Sequence, residues 1–139
     1  WINFPGLGVV KKHPDCRIMT AGNTCGLGAT VEYVGAERQD AAVLDRYAFV
    51  AIDYDEKLEL AAAGVDQEAW VRHVQKLRRA LKSLGASAPD CRITPRASIF
   101  GAKRLRHNPG TPWDRLENEF IWKGIEADDV TKVRASARV

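Results

Sequence analysis

The sequence has no apolar run near the roughly 20 residues that a membrane-crossing helix needs, so no membrane partner is expected. No basic stretch followed by an apolar segment opens the chain, and no secretory signal is visible. Cysteine is scarce: Cys16, Cys25 and Cys91 are odd in number and form no CxxC pair. That excludes a disulfide framework and a zinc site built on paired cysteines. Reduced thiols fit a cytoplasmic protein, with Cys16 and Cys25 expected as small buried apolar residues. His13, His73 and His107 lie far apart, none four residues from another. The phosphate-cradling pattern GxxxxGK[ST] is absent, as are GxSxG and HExxH. The short glycine pairs Gly6-Leu7-Gly8 and Gly26-Leu27-Gly28 lack the third glycine of GxGxxG.

What is present is an ordinary globular composition. The 139 residues are 45% apolar and 28% charged, enough for one domain or two small packed subdomains. Net charge is +3, but its distribution is uneven. Residues 72–106 hold ten Lys/Arg and one acid, Asp90, whereas residues 32–68 hold ten acids and three basic residues. Two readings follow: solvated faces of neighbouring subdomains, or a basic surface that meets an anion.

Along the chain, residues 2–10 (INFPGLGVV) read as strand, Pro-Gly turn and strand. Residues 17–22 (RIMTAG) and 48–53 (AFVAID) read as strands, the second apolar almost throughout, as in a sheet buried on both faces. Between them lie a long glycine-containing loop, Asn23 to about Gln39, and a short helix over 41–46 capped by Asp40. Residues 55–63 predict a helix stopped by Gly64. Asp66 is expected to cap a long helix ending at Gly85. Its apolar positions Trp70, Val74, Leu77, Leu81 and Leu84 recur at spacings of 4, 3, 4 and 3, one face of an amphipathic helix. Thr94-Pro95 opens another helix through about His107, closed by Asn108-Pro109-Gly110. Residues 113–122 are ambiguous, and 126–136 form a final helix with Asp128 and Asp129 near its positive end. The fold class is therefore α/β plus α-helical: the last strands of a larger sheet, then a helical part. The division falls at 1–54 and 55–139.

Four polar features could carry chemistry. Asn23 follows a strand end, where an open sheet faces its ligand crevice, or it merely makes a turn. Arg46 ends the short helix. It either answers the helix dipole and pairs with Asp45 or Asp40, or is offered to a neighbouring subunit's phosphate. Arg96 lies in a helix first turn, where the dipole disfavours a cation, so a bound anion would explain it. Asp53 and Asp55 share a strand face and could hold a metal, or they solvate the strand end and cap the next helix.

The order TAGNT, a Gly-rich loop with EYVG, DAAVLDRY, an apolar strand ending in DYDE, a helix, then ITPRAS resembles AAA+ ATPases of the MoxR and dynein-related branch. That branch includes the cobaltochelatase small subunit, the CbbQ/NorQ activators and many phage-encoded ATPases. The resemblance covers roughly residues 2–107. It implies that Asn23 is sensor 1, Arg46 the arginine finger acting in trans, and Arg96 the sensor 2 of a helical lid. Residues 2–14 correspond to the hairpin before sensor 1. Ala36-Glu37-Arg38-Gln39 departs from the basic-polar stretch usual after EYVG, leaving Arg38 to carry the charge. The phosphate-binding loop and magnesium-holding acids of the family would lie upstream of Trp1. The resemblance thus implies the C-terminal part of a ring-forming, hexameric ATPase using ATP and Mg²⁺ on an unidentified protein client. A different class of function is a nucleic-acid or protein interaction module using segment 72–106, with Arg78-Arg79 and Lys103-Arg104-Arg106 on phosphates.

Overall fold

The computed structural model describes residues 2–11, 13–17, 19–30, 33–89 and 91–138. Ile18 of the expected strand, Glu32 of EYVG and Asp90 lie outside the described residues. The chain divides into two units, Trp1–Val50 and Ala51–Val139.

The first unit opens with the expected hairpin. Strands β1 (Ile2–Phe4) and β2 (Gly8–Val10) pair antiparallel, with Ile2 opposite Val10 and Phe4 opposite Gly8. The tight turn between them uses Gly6 at φ +85°, a left-handed conformation that costs glycine little. Residues 23–39 close on themselves through an isolated antiparallel bridge between Leu27 and Arg38. Asp40 caps helix α1 as expected, its Oδ1 accepting from the Ala42 N–H at 2.7 Å. The helix is one turn, Ala41–Leu44, shorter than 41–46.

Two expected strands are not seen among the described residues. Residues 17 and 19–22, and all of 48–53, form no strand. A strand is held by ladder hydrogen bonds from a neighbour, and among the described residues neither stretch has a ladder partner. Their apolar side chains are consequently uncovered: Met19 is 92% exposed, Phe49 59%, Val50 79% and Ile52 90%. Cys16 is half-buried and Cys25 exposed, neither being core.

The second unit is helical and has a closed core. Helix α2 (Glu56–Ala63) starts at Asp55, whose carboxylate accepts from the N–H groups of Lys57 and Leu58. It stops at Gly64, φ +94°. A 3-10 turn over Val65–Gln67 leads into α3 (Glu68–Leu84), then come α4 (Pro95–His107), α5 (Trp113–Phe120) and α6 (Ala127–Ala137). The ambiguous stretch 113–122 is thus mostly helix. Helix α3 is the hub and packs against α2, α4 and α6. Its buried face is Trp70, Val71, Val74, Gln75, Leu77 and Ala80, with Leu81 and Leu84 partly buried. Around it lie Ala63, Ile93, Ala97, Ala102, Leu105, Leu116, Trp122 and Val133. Asp66 does not cap α3: it sits in the 3-10 turn, and its carboxylate binds the Arg106 guanidinium instead. Thr94 does occupy the position before Pro95, but the first turn of α4 closes through the Ala97 N–H on the Thr94 carbonyl, without the hydroxyl.

Helix α4 approaches α3 closely because of Gly101. The Trp70 indole lies across this glycine and donates from Nε1 to the Ala97 carbonyl at 3.2 Å. A Cβ at position 101 would stand 2.2–2.6 Å from Trp70 Nε1, Cε2 and Cζ2. A fused ring fixed on both sides has little room to shift. Gly101→Ala gains about 1 kcal/mol of helix propensity but incurs overpacking of about 1–3 kcal/mol. The expected outcome is a net loss of stability, measured as a lower urea midpoint. An unchanged or raised midpoint would contradict the contact.

Candidate functional site

The residues expected to carry chemistry fall in both units. Asn23 is exposed, in a bend of the loop that follows Gly22, with no strand end to present it. Arg46 is exposed just past α1, and its Nη1 donates to the Ala42 carbonyl at 2.5 Å. That is a cation on the carbonyl end of a helix, the arrangement the dipole favours. It makes no ion pair with Asp45 or Asp40 among the described residues. No hydrogen bond joins Asn23 and Arg46 among the described residues, and Arg96 belongs to the other unit. Asp55 caps α2, while Asp53 accepts from the Tyr54 N–H and pairs with Lys82 at 3.2 Å. Among the described residues, no three His, Cys, Asp or Glu side chains gather as metal ligands. No described helix is long and apolar enough to cross a membrane.

Arg96 is exposed in the first turn of α4 and has no ion-pair or hydrogen-bond partner among the described residues. Beneath it is a buried polar cluster that sequence reasoning missed. Glu59 of α2 is 3% exposed. Arg78 of α3 donates to it from Nη1 at 2.7 Å and Nη2 at 2.6 Å, and from Nε to the Ile93 carbonyl at 2.7 Å. The Ser98 hydroxyl donates to Glu59 Oε1 at 2.5 Å, and Gln75 Nε2 reaches Glu59 Oε2 at 3.4 Å. Tyr54 places its ring 4.9 Å from the Arg78 guanidinium carbon. Burial pushes the Glu59 carboxyl up, but the donors from Arg78 and Ser98 outweigh it and hold the group below its ordinary value.

A second buried carboxylate, Glu117 of α5, joins α3, α5 and α6. It accepts from His73 Nε2 at 2.7 Å, Trp122 Nε1 at 2.6 Å, and Arg134 Nε and Nη2 at 2.9 and 2.7 Å. The His73 ring lies 4.9 Å from that of Trp113. Burial raises the Glu117 carboxyl, and the hydrogen bonds from His73, Trp122 and Arg134 bring it below its usual value. Both acids carried a signal in the sequence. Glu59 shares a helix face with Ala63, and Glu117 falls on the Trp113, Leu116, Phe120 stripe. An acid at a core-facing position requires a cation.

The basic segment is largely compensated inside the unit. Arg72 pairs with Glu68, Arg78 with Glu59, Arg79 with Glu56, Lys82 with Asp53, Arg104 with Glu119 and Arg106 with Asp66. Arg106 also donates to the Ala63 carbonyl and draws the Asp66 carboxyl down to about 2. A phosphate backbone would have to compete with these partners, most of them exposed pairs, whereas Arg78 is nearly buried against Glu59.

Arg78→Ala would leave the Glu59 charge buried and unpaired, a loss of about 3–5 kcal/mol, read from the urea midpoint. An effect under about 1 kcal/mol, the scale of an exposed pair, would show that the cluster is open to solvent. Folding also lowers both buried carboxyls, so their stabilisation is fully present above 4.5 and is lost as pH falls through the lowered folded values. The urea midpoint should therefore drop below that pH, and Glu117→Gln should flatten the drop. A midpoint constant down to pH 3 would contradict this. Comparison with models of known protein families, with curated proteins and with solved structures finds no match for this chain.

Proposed function

We propose that the chain is the C-terminal part of a ring-forming AAA+ ATPase module of the MoxR and dynein-related branch. In it, ATP hydrolysis drives remodelling or activation of a partner protein, or metal insertion. On this reading residues 17–22 and 48–53 are strands of the ATPase sheet, and residues 55–139 are the lid. Asn23 positions the attacking water, Arg46 reaches the nucleotide of the next subunit, and Arg96 reaches its own from the lid.

The observation that carries the reading is the uncovered stretch Phe49, Val50 and Ile52, directly ahead of a helical unit with a complete core. Each such side chain gains about 1.5–3 kcal/mol on burial, so an apolar strand-like segment left open calls for a sheet to receive it. Arg96, exposed at the opening of α4 and without a partner among the described residues, adds support. The sequence has no phosphate-cradling loop, and no metal-ligand cluster exists among the described residues. On this reading another segment holds the triphosphate and Mg²⁺, on which phosphoryl transfer depends for positioning and charge neutralisation.

The purified 139-residue chain should therefore show no magnesium-dependent ATP turnover; appreciable turnover would sink the proposal. In a longer protein that carries GxxxxGK[ST] ahead of these residues, Arg46→Ala should abolish hydrolysis by assembled rings and leave ATP binding intact. Mixed rings in which Arg46 serves only its own subunit would refute the trans role.

A further inference from the structure

Helix α4 turns one face to the core and the opposite face to solvent. The inward face is Ala97, Ser98, Gly101, Ala102 and Leu105. The outward face carries Phe100, Lys103, Arg104 and His107, all exposed. Spacings of three, four and seven residues from Phe100 put them on one side of the helix. Side chains on a helix lean toward its N-terminus, so Lys103 and Arg104 lean toward the Phe100 ring from either side of its line. The ring is 50% exposed and leans on Phe120 of α5, with centroids 6.4 Å apart. The helix has no acidic residue of its own to balance these cations. Lys103 has no ion-pair partner among the described residues. Arg104 meets Glu119 at 3.8 Å in a part-exposed pair, whereas its neighbour Arg106 is held by both oxygens of Asp66. An exposed ring under two such cations complements a ligand that is apolar at its centre and negative around it.

We propose that the outward face of α4 docks an acidic protein segment. An apolar side chain of that segment lies on Phe100 and Phe120, and carboxylates beside it meet Lys103 and Arg104. Aromatic rings and arginine are the usual anchors of protein interfaces. A nucleic acid fits this face less well. Its backbone is charged at every unit and would run on into Glu119, which flanks Arg104. A peptide places its acids only where the cations are. Arg96 is left out of the docking set, because the ATPase reading assigns it to the nucleotide. The proposal goes beyond that reading, and neither depends on the other.

The test titrates the isotopically labelled 139-residue chain with a helical peptide of about 15 residues. The peptide has a central leucine, glutamates three and four residues away on each side, and alanine and glutamine elsewhere. Two further probes are the same peptide with lysine for glutamate, and an oligothymidylate of similar length. The glutamate peptide should shift the amides of residues 99–107 saturably, and the lysine peptide should not. Phe100→Ala should weaken binding about tenfold, as loss of an interface anchor does. Lys103→Glu combined with Arg104→Glu should lose the glutamate peptide and acquire the lysine peptide, a gain that an unfolded chain would not show. Lys57→Glu, the same kind of charge change at an exposed position on α2, should alter affinity by less than about twofold. No saturable shift by the glutamate peptide overturns the proposal, as does a double variant that still binds it. If Lys57→Glu weakens binding as much as the double variant does, the attraction is diffuse and there is no docking face. If the oligothymidylate binds more tightly at the same amides, the face belongs to nucleic acid and the proposal fails.

Discussion

Two oxygens of Glu59 and three nitrogens of Arg78 occupy one nearly dry site, and every one of these nitrogens has an acceptor. Three helices and the segment entering the third meet there. Such a pair contributes little net stability when intact and costs much when half is removed, so it constrains more than it stabilises. With α2, α3 and the start of α4 tied at that point, the apolar faces can close only one way. Trp70 then lies over Gly101, and Leu77 and Ile93 are sealed from water. Glu117 repeats the device on the other side of α3, drawing in α5, α6 and the Trp122 indole. Helix α3 supplies a partner to each acid, Arg78 to one and His73 to the other.

The uneven charge along the chain has its explanation here. Asp53, Glu56, Glu59, Asp66 and Glu68 come from the acidic stretch; Lys82, Arg79, Arg78, Arg106 and Arg72 come from the basic one. A helix rich in one sign folds back on a neighbour rich in the other. Segregation in sequence becomes pairing in space, and the small net charge is the remainder. Arg96, like Lys103, has no share in this pairing among the described residues.

Much of the helical unit was legible in the residues. The 4, 3, 4, 3 spacing located α3 because burial enforces it, and Asp55, Gly64, Gly85 and Asn108 marked helix ends because each relieves unpaired backbone groups. The strands over 17–22 and 48–53 were not legible as formed elements. A helix satisfies its own backbone, whereas a strand depends on a neighbour that local sequence cannot report. Asp66 misled for a related reason: its side chain could cap locally, but a guanidinium 40 residues away competes better. Of the candidate site, the positions of Arg46 and Arg96 at helix ends followed from composition. The cluster under Arg96 did not, because it is assembled from three elements distant in sequence.

The uncovered stretch Ala48–Ile52 has a consequence for how the chain behaves before it meets any partner. Five apolar residues without proline or charge make a short template on which another extended chain could stack. What protects it is its flanks: Arg46 on one side, Asp53 and Asp55 on the other, act as gatekeepers that interrupt stacking with charge. Arg46 thereby has a use that is independent of any nucleotide, as a solubilising guard on the segment that follows it.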